Sequence, residues 1–451
     1  MFQDLKDKNI HIVGISGTEG SSLALFFINQ NFKNLTGHDF STKANFRKNY
    51  INYHKEVSLK KIKSDLKKLN GIKINYNKNY LKDLNEADFI LVPSSWFRYK
   101  CNNKLKKYSK KKYFWNWYNL LLHYYQGTFI GITGTAGKGT TTNLIFKILK
   151  KSKKNVIQVG ESWQEIDFNK IFKADSKSYL VAELSNRTLT FASKVKRSPD
   201  LAVITNITKN HLDDHQGSFN KYYKTKLDIS KYQTKDNILF LNNKLKGIKT
   251  KAKKIYFSFN NVVVKNKNLI GEHLLSDVAA AELVAKALKI SKQNINKGLN
   301  SFKARSGRLE YIGSKNGVNL INDAASTRPE ATIFAVKSFP KGKVNLILEG
   351  SRYKLDVKQY LLLIDTVKRY KVRNVALSGQ ITRLLYSMLK KESINVVKTK
   401  SLLDSIKQLY KLSEKGDYLL LSPSAESFGE FKDYRGRIEL FNKYFKKLKK
   451  S

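Results

Sequence analysis

The chain has 451 residues, 41% of them hydrophobic and 12% aromatic, enough for two or three domains with their own cores; a disordered chain is excluded. Its 85 Lys and Arg against 36 Asp and Glu give a formal charge of +49, but the lysines run through every segment and form no single block, so a nucleic-acid footprint, which clusters on one face, is not expected. A single cysteine, Cys101, excludes an internal disulfide; the start of the chain has no apolar signal segment and no run approaches the ~20 apolar residues of a membrane span, so the expectation is a cytoplasmic protein that avoids membrane and nucleic acid.

In chain order, Asn9 to Ile15 predicts a first strand, the turn Gly14 to Gly20 follows, and an apolar helix runs from Ser21 to about Asn29. A second short strand ends at Asp39, where an acidic residue meets the ribose or base in nucleotide-binding βαβ units. Ala87 to Ser95 reads as a last strand entering a loop, and residues 100–126 as a linker helix. The strongest local signal comes next. Phe129 to Ile132 is a buried strand, Gly134, Gly137 and Gly139 punctuate a loop, and Leu144, Ile145, Ile148 and Leu149 mark the buried face of a helix. Glycines let backbone N–H groups turn towards a phosphate, the helix N-terminus adds a positive dipole end, and Lys138 supplies a point charge for the outer phosphates. Gly139 occupies the place of the usual metal-binding hydroxyl, which passes to Thr140 or Thr141.

Further strands are expected at Val156–Val159, Tyr179–Leu184 and Leu201–Asn206. The second ends in Glu183, a carboxylate placed to hold Mg²⁺ beside a phosphate loop; the third feeds His211, Asp213, Asp214 and His215. Tyr222 to Ile229 reads as a helix in which Lys226 looks like any solvated lysine. A third βα alternation begins near Phe302, with strands at Asn319–Ile321, Val344–Leu348, Val375–Ser378 and Tyr418–Leu421. Repeated βα alternation predicts parallel, doubly wound sheets.

The order Gly131-Ile-Thr-Gly-Thr-Ala-Gly-Lys138, Glu183-Leu-Ser185, Asn206-Ile-Thr-Lys-Asn-His211-Leu-Asp213 and Tyr222-Tyr-Lys-Thr-Lys226 resembles the Mur ligase family. Gly307-Arg-Leu-Glu310, Asn316 to Asp323, Thr327, Pro329 to Thr332, Leu420 to Phe428, and Phe431 to Tyr434 followed by Arg437 resemble its glutamate-adding branch. The resemblance spans essentially the whole chain. It implies an α/β protein of three domains: a Rossmann-like UDP-substrate domain (1–105), a central P-loop ATPase-type domain with a mostly parallel sheet (106–300) and a Rossmann-like amino-acid domain (301–451). It implies a monomeric, ATP- and Mg²⁺-dependent ligase that joins D-glutamate to UDP-N-acetylmuramoyl-L-alanine through an acyl phosphate. By position, Gly134, Thr135, Gly137, Lys138, Gly139, Thr140, Thr141, Arg308 and Asp323 bind ATP. Thr140, Glu183, His211 and a carbamylated Lys226 hold the metal, with Lys138, His211 and Lys226 catalytic. Ser16, Thr18 and Asp39 meet the UDP moiety. Thr327, Ser427, Phe428 and Tyr434 line the acceptor site. Ala325 and Tyr353 stand where relatives carry lysine, and Arg328 and Arg352 are the expected replacement cations. Two other classes share parts of the pattern: a folylpolyglutamate synthase-like ligase, which has the same phosphate loop, and a basic nucleic-acid-binding ATPase, which needs a clustered positive groove.

Overall fold

A computed structural model describes residues 2–160, 164–208, 212–260, 262–269, 271–351 and 357–450. His211 and Arg352, with Tyr353 and Lys354, lie outside them. The chain forms two compact units, residues 1–262 with 276–299, and residues 263–275 with 300–451.

The first unit contains two parallel sheets. One comprises β1 (Ile10–Val13), β2 (Leu35–Asp39), β3 (Lys73–Tyr76), β4 (Phe89–Leu91) and β5 (Phe114–Trp115) in the order β3-β2-β1-β4-β5. The strand order reverses between β1 and β4, which opens a crevice at their C-terminal ends. β3 and β5 were not expected. β3 reads as polar, and β5 is two residues long, paired through Ile90 to Phe114 and Leu91 to Trp115. The linker helix expected over 100–126 is therefore broken: Lys100–Lys107 is a 3₁₀ helix, β5 intervenes, and Trp117–Tyr124 is an α-helix started by an Asn116 capping box. This sheet runs past residue 105.

The other sheet of the unit comprises β6 (Thr128–Thr133), β7 (Val156–Val159), β8 (Tyr179–Glu183), β9 (Leu201–Ile204), β10 (Ile238–Asn242) and β11 (Lys253–Phe257), ordered β11-β10-β9-β6-β8-β7. β6 and β9 are buried along almost their whole length, as strands covered by helices on both faces must be. β6 lies between β8 and β9, so the loops after these three strands converge at one edge.

The second unit carries β12 (Glu310–Lys315), β13 (Val318–Asn322), β14 (Val344–Glu349), β15 (Asn374–Ser378), β16 (Val396–Lys398) and β17 (Tyr418–Ser424) in the order β12-β13-β17-β14-β15-β16. All neighbours are parallel except β12 and β13, a hairpin whose turn carries Asn316 and Gly317 at positive φ. The α/β class holds, with one antiparallel edge that the βα alternation did not announce. Among the described residues, no helix is long and apolar enough to cross a membrane.

Candidate active site

The phosphate loop follows β6 and enters the helix Lys138–Lys151. Its glycines are required by the backbone. Gly134 has φ +151° and a Cβ there would fall 1.9 Å from Thr205 Oγ1; Gly137, the helix N-cap, has φ +81° and a Cβ would fall 2.2 Å from Asp277 Oδ1. The loop is braced from the end of β9. Thr135 N donates to Asn206 O (2.9 Å), Ala136 N to Asn206 Oδ1 (3.0 Å), and Thr205 Oγ1 and Asn206 Nδ2 both donate to Ala136 O (2.6 and 3.0 Å). Thr208 N donates to Thr135 Oγ1 (3.0 Å), which also meets Tyr222 OH at 2.9 Å. Asn206 and Tyr222 were visible as motif letters; their task as braces was not.

Lys138 lies at the mouth of this loop, its ammonium donating to Thr135 O at 3.3 Å. Burial pulls its pKa down, against the raising influence of Glu183 and Asp277. Asp277 is 3% exposed, and burial holds its carboxyl well above the usual carboxylate range, opposed by Thr141 and Lys138. The sequence pattern gives Asp277 no role at the loop. It lies far along the chain from Gly137, so no local pattern announces the contact.

Lys226 is not a solvated lysine. It stands on the helix Phe219–Leu227, is 1% exposed, and its ammonium donates to Thr133 Oγ1 at 3.2 Å. Desolvation, then repulsion from Lys138, drive its pKa well below the ordinary lysine value, with Glu183 opposing. An amine so placed is held towards its neutral, nucleophilic form. Thr140 is half-buried and Thr141 fully buried, so Thr140 is the more accessible replacement for the hydroxyl displaced by Gly139. Among the described residues, no group of three His, Cys, Asp or Glu side chains is placed to hold a metal ion. The donors here are Glu183, half-buried at the end of β8, the Thr140 hydroxyl and Lys226, and an amine becomes an anionic ligand only when carboxylated.

At the crevice of the first sheet, a cavity of about 520 Å³ is lined by Ser16, Thr18, Asp39, Tyr53, Arg98 and Arg187, among others. Asp39 is 3% exposed and both its oxygens are engaged: Oδ2 accepts from Ser16 N (2.8 Å), and Oδ1 from Ser41 N (3.0 Å) and Ser41 Oγ (2.7 Å). The carboxylate expected against the ribose or base therefore shapes the loop that carries Ser16.

Three comparisons bear on this arrangement. The model of the Mur ligase middle domain matches residues 132–321, the stretch that holds the phosphate loop, Glu183 and Lys226. The UDP-N-acetylmuramoylalanine--D-glutamate ligase of Oenococcus oeni is 31% identical over 394 residues, covering 82% of this chain and 87% of the relative. This chain belongs to the Mur ligase family. The enzyme of the same description from Clostridioides difficile is 28% identical over 99% of this chain and all of its own length. The solved UDP-N-acetylmuramate-alanine ligase of Thermotoga maritima aligns over 98% of this chain and 99% of its own with a TM-score of 0.52 at 15% identity, which speaks for the fold.

The second unit brings together the motifs read near its end. Asp323 is 4% exposed; Oδ1 accepts from Leu309 N (3.0 Å) and Oδ2 from Ser326 Oγ (2.6 Å) and Ser422 Oγ (2.7 Å). Burial raises its pKa to about 6 despite those donors and Arg308. It ties three segments together: the loop of Arg308, the turn before Thr327 and the end of β17. Thr327 is half-buried, and Arg328 is exposed at the start of the helix Pro329–Lys337. Ser427 is 2% exposed, while Phe428 and Tyr434 are 50% and 42% exposed. The organiser of this loop is Arg437, a residue the sequence reading carried only as a motif letter. It is fully buried, donates to Ala425 O (2.8 Å) and Glu349 O (3.2 Å), and pairs with the Glu349 carboxylate. Burial raises the pKa of Glu349 to about 7, with Arg437 pulling against it.

Proposed function

We propose that this Mur ligase joins D-glutamate to UDP-N-acetylmuramoyl-L-alanine at the expense of ATP. The γ-phosphoryl group passes to the precursor carboxylate, giving an acyl phosphate and ADP. The acceptor amine then attacks the acyl carbon, and the tetrahedral intermediate collapses to an amide and inorganic phosphate. What carries the reading is the buried Lys226 amine, within electrostatic reach of Lys138 and Glu183 where β6 and β8 end. The names of the Oenococcus oeni and Clostridioides difficile relatives support the choice of substrates.

The roles follow from position. Lys138 neutralises the phosphoryl group in flight, and the N–H groups of the Gly134–Thr141 loop hold the other phosphates. Thr140, Glu183 and a carbamylated Lys226 would hold Mg²⁺, with His211 beyond the described residues as a further ligand; the ion supplies charge neutralisation at the phosphoryl oxygens. Lys226 suits carbamylation because a desolvated, neutral amine reacts with carbon dioxide. Ser16, Thr18 and Asp39 form the UDP end of the first cavity, and Arg308 and Asp323 serve the nucleotide. Thr327, Ser427, Phe428 and Tyr434 form the acceptor site, with Arg328 and Arg352 as clamps for the glutamate carboxylates. The first-sheet cavity favours this over a folylpolyglutamate synthase-like enzyme.

Phosphate release from ATP with UDP-N-acetylmuramoyl-L-alanine and a panel of amino acids tests the reading. D-glutamate should support turnover and Lys138→Ala should abolish it. Preference for a neutral amino acid, or near-normal turnover of the Lys138 variant, would sink it.

A further inference from the structure

We propose that Arg187 and Arg98, aligned by Asp214, form a two-guanidinium clamp that fixes an oxyanion of the sugar-nucleotide precursor at the rim of the first cavity. The inference rests on the precursor assignment above and adds a specificity-determining pair to it. The three residues come from three separate loops of the first unit: Arg98 from the turn Trp96–Arg98 after β4, Arg187 from the short helix Asn186–Leu189 after β8, and Asp214 from the turn Leu212–His215 after β9. Arg187 Nε donates to Asp214 Oδ2 at 2.8 Å and Arg98 Nε lies 3.2 Å from Asp214 Oδ1. The Asp214 side chain is only 6% exposed. Both arginines line the cavity that also holds Ser16 and Thr18.

Three features point to a ligand. Each guanidinium spends only Nε on Asp214, and no other hydrogen bond of either is seen among the described residues, which leaves the terminal NH₂ groups for a planar, bidentate partner. Two cations on one carboxylate leave an uncompensated positive charge, and like charges held together cost stability unless an anion neutralises them. The acidic groups that share the lining are already engaged: Glu19 accepts from Ser94 N (2.7 Å) and Ser94 Oγ (3.0 Å), and Asp39 is held by Ser16 and Ser41. The cavity thus presents its unspent charge at the arginine end. The oxyanion is either the diphosphate of the precursor or the carboxylate of its alanine.

The experiment uses the full chain with Arg187→Met, Arg98→Met and the double change. It measures KM for the precursor, KM for ATP, inhibition by UDP alone, and thermal stability. Arg98 is 51% exposed, so its variant keeps the test valid if loss of Arg187 disturbs folding. Each single change should raise the precursor KM by about tenfold or more, the scale of a lost charge-assisted hydrogen bond, with KM for ATP unchanged. Arg187→Lys should recover only part of the loss. If UDP inhibition weakens in parallel, the clamp holds the diphosphate; if UDP inhibition is untouched, it holds the carboxylate. Folded variants with precursor KM unchanged overturn the clamp and leave a structural ion pair. A wild-type chain that neither binds nor turns over the precursor overturns the functional reading itself, and the clamp with it.

Discussion

Arg437→Met probes how the acceptor loop is held. In the wild type, one fully buried guanidinium satisfies two carbonyls, Ala425 O and Glu349 O, and pairs with the Glu349 carboxylate. Methionine keeps most of the volume and removes every donor. Breaking one side of a buried pair costs about 3–5 kcal/mol, and the two carbonyls that lose a donor push the loss towards the upper end. For a unit of this size that is a drop of about 10 °C or more in Tm. The pH dependence is the sharper readout. Glu349 has a folded pKa raised from 4.5 to about 7, so its contribution to stability is fully present below 4.5 and is lost as pH rises through 7. Arg437 is one of the influences that hold that pKa down. Without it the folded pKa climbs further, and the loss continues into the range above 7. The variant should therefore be much less stable than wild type at pH 8 and closer to it at pH 5. Calorimetric melts of both proteins at the two pH values, with Glu349→Gln added to the variant as a partial rescue, decide the matter. A destabilisation that is equal at pH 5 and pH 8, or below about 1 kcal/mol at both, the worth of an ordinary neutral hydrogen bond, refutes the buried-pair reasoning.

Lys226→Ala should be nearly inactive, with partial rescue by short carboxylic acids that replace the missing anion; an active preparation whose intact mass and carbon-13 spectrum show only unmodified lysine would contradict the carbamate. Gly137→Ala places a Cβ 2.2 Å from Asp277 Oδ1 at φ +81°, so the KM for ATP should rise at least tenfold, with Tm falling; an unchanged KM for ATP would mean that the loop conformation is not needed for phosphate binding. Despite its charge, the protein should bind DNA or RNA only at low salt, because scattered lysines act through counterion release. Submicromolar affinity at ~0.15 M salt, the physiological ionic strength, would revive the nucleic-acid reading. Arg328→Met should raise the KM for D-glutamate and leave that for ATP alone; equal KM values in variant and wild type would place Arg328 on the surface without a role.

What was legible in the sequence is what depends on neighbours along the chain. Gly134, Gly137 and Lys138 declare a phosphate loop because the required backbone angles, the strand before and the helix after are all local properties. The apolar runs at β6, β8, β9, β14 and β17 declare buried parallel strands for the same reason. Polar β3 and two-residue β5 exist only by pairing with β2 and β4, and no local pattern marks them. The side chains with the most altered chemistry were set entirely by tertiary contact. Lys226 reads as a solvated lysine, and its neutral tendency comes from being packed at Thr133 beside Lys138. Asp277 meets Gly137 from far along the chain, Asp214 gathers Arg98 and Arg187 from two other strand ends, and Arg437 finds Glu349 from the last helix. Burial is a property of what surrounds a group, and ionisation follows burial. The sequence alone therefore named the residue types of the site, and only the fold decided which of them lose their water.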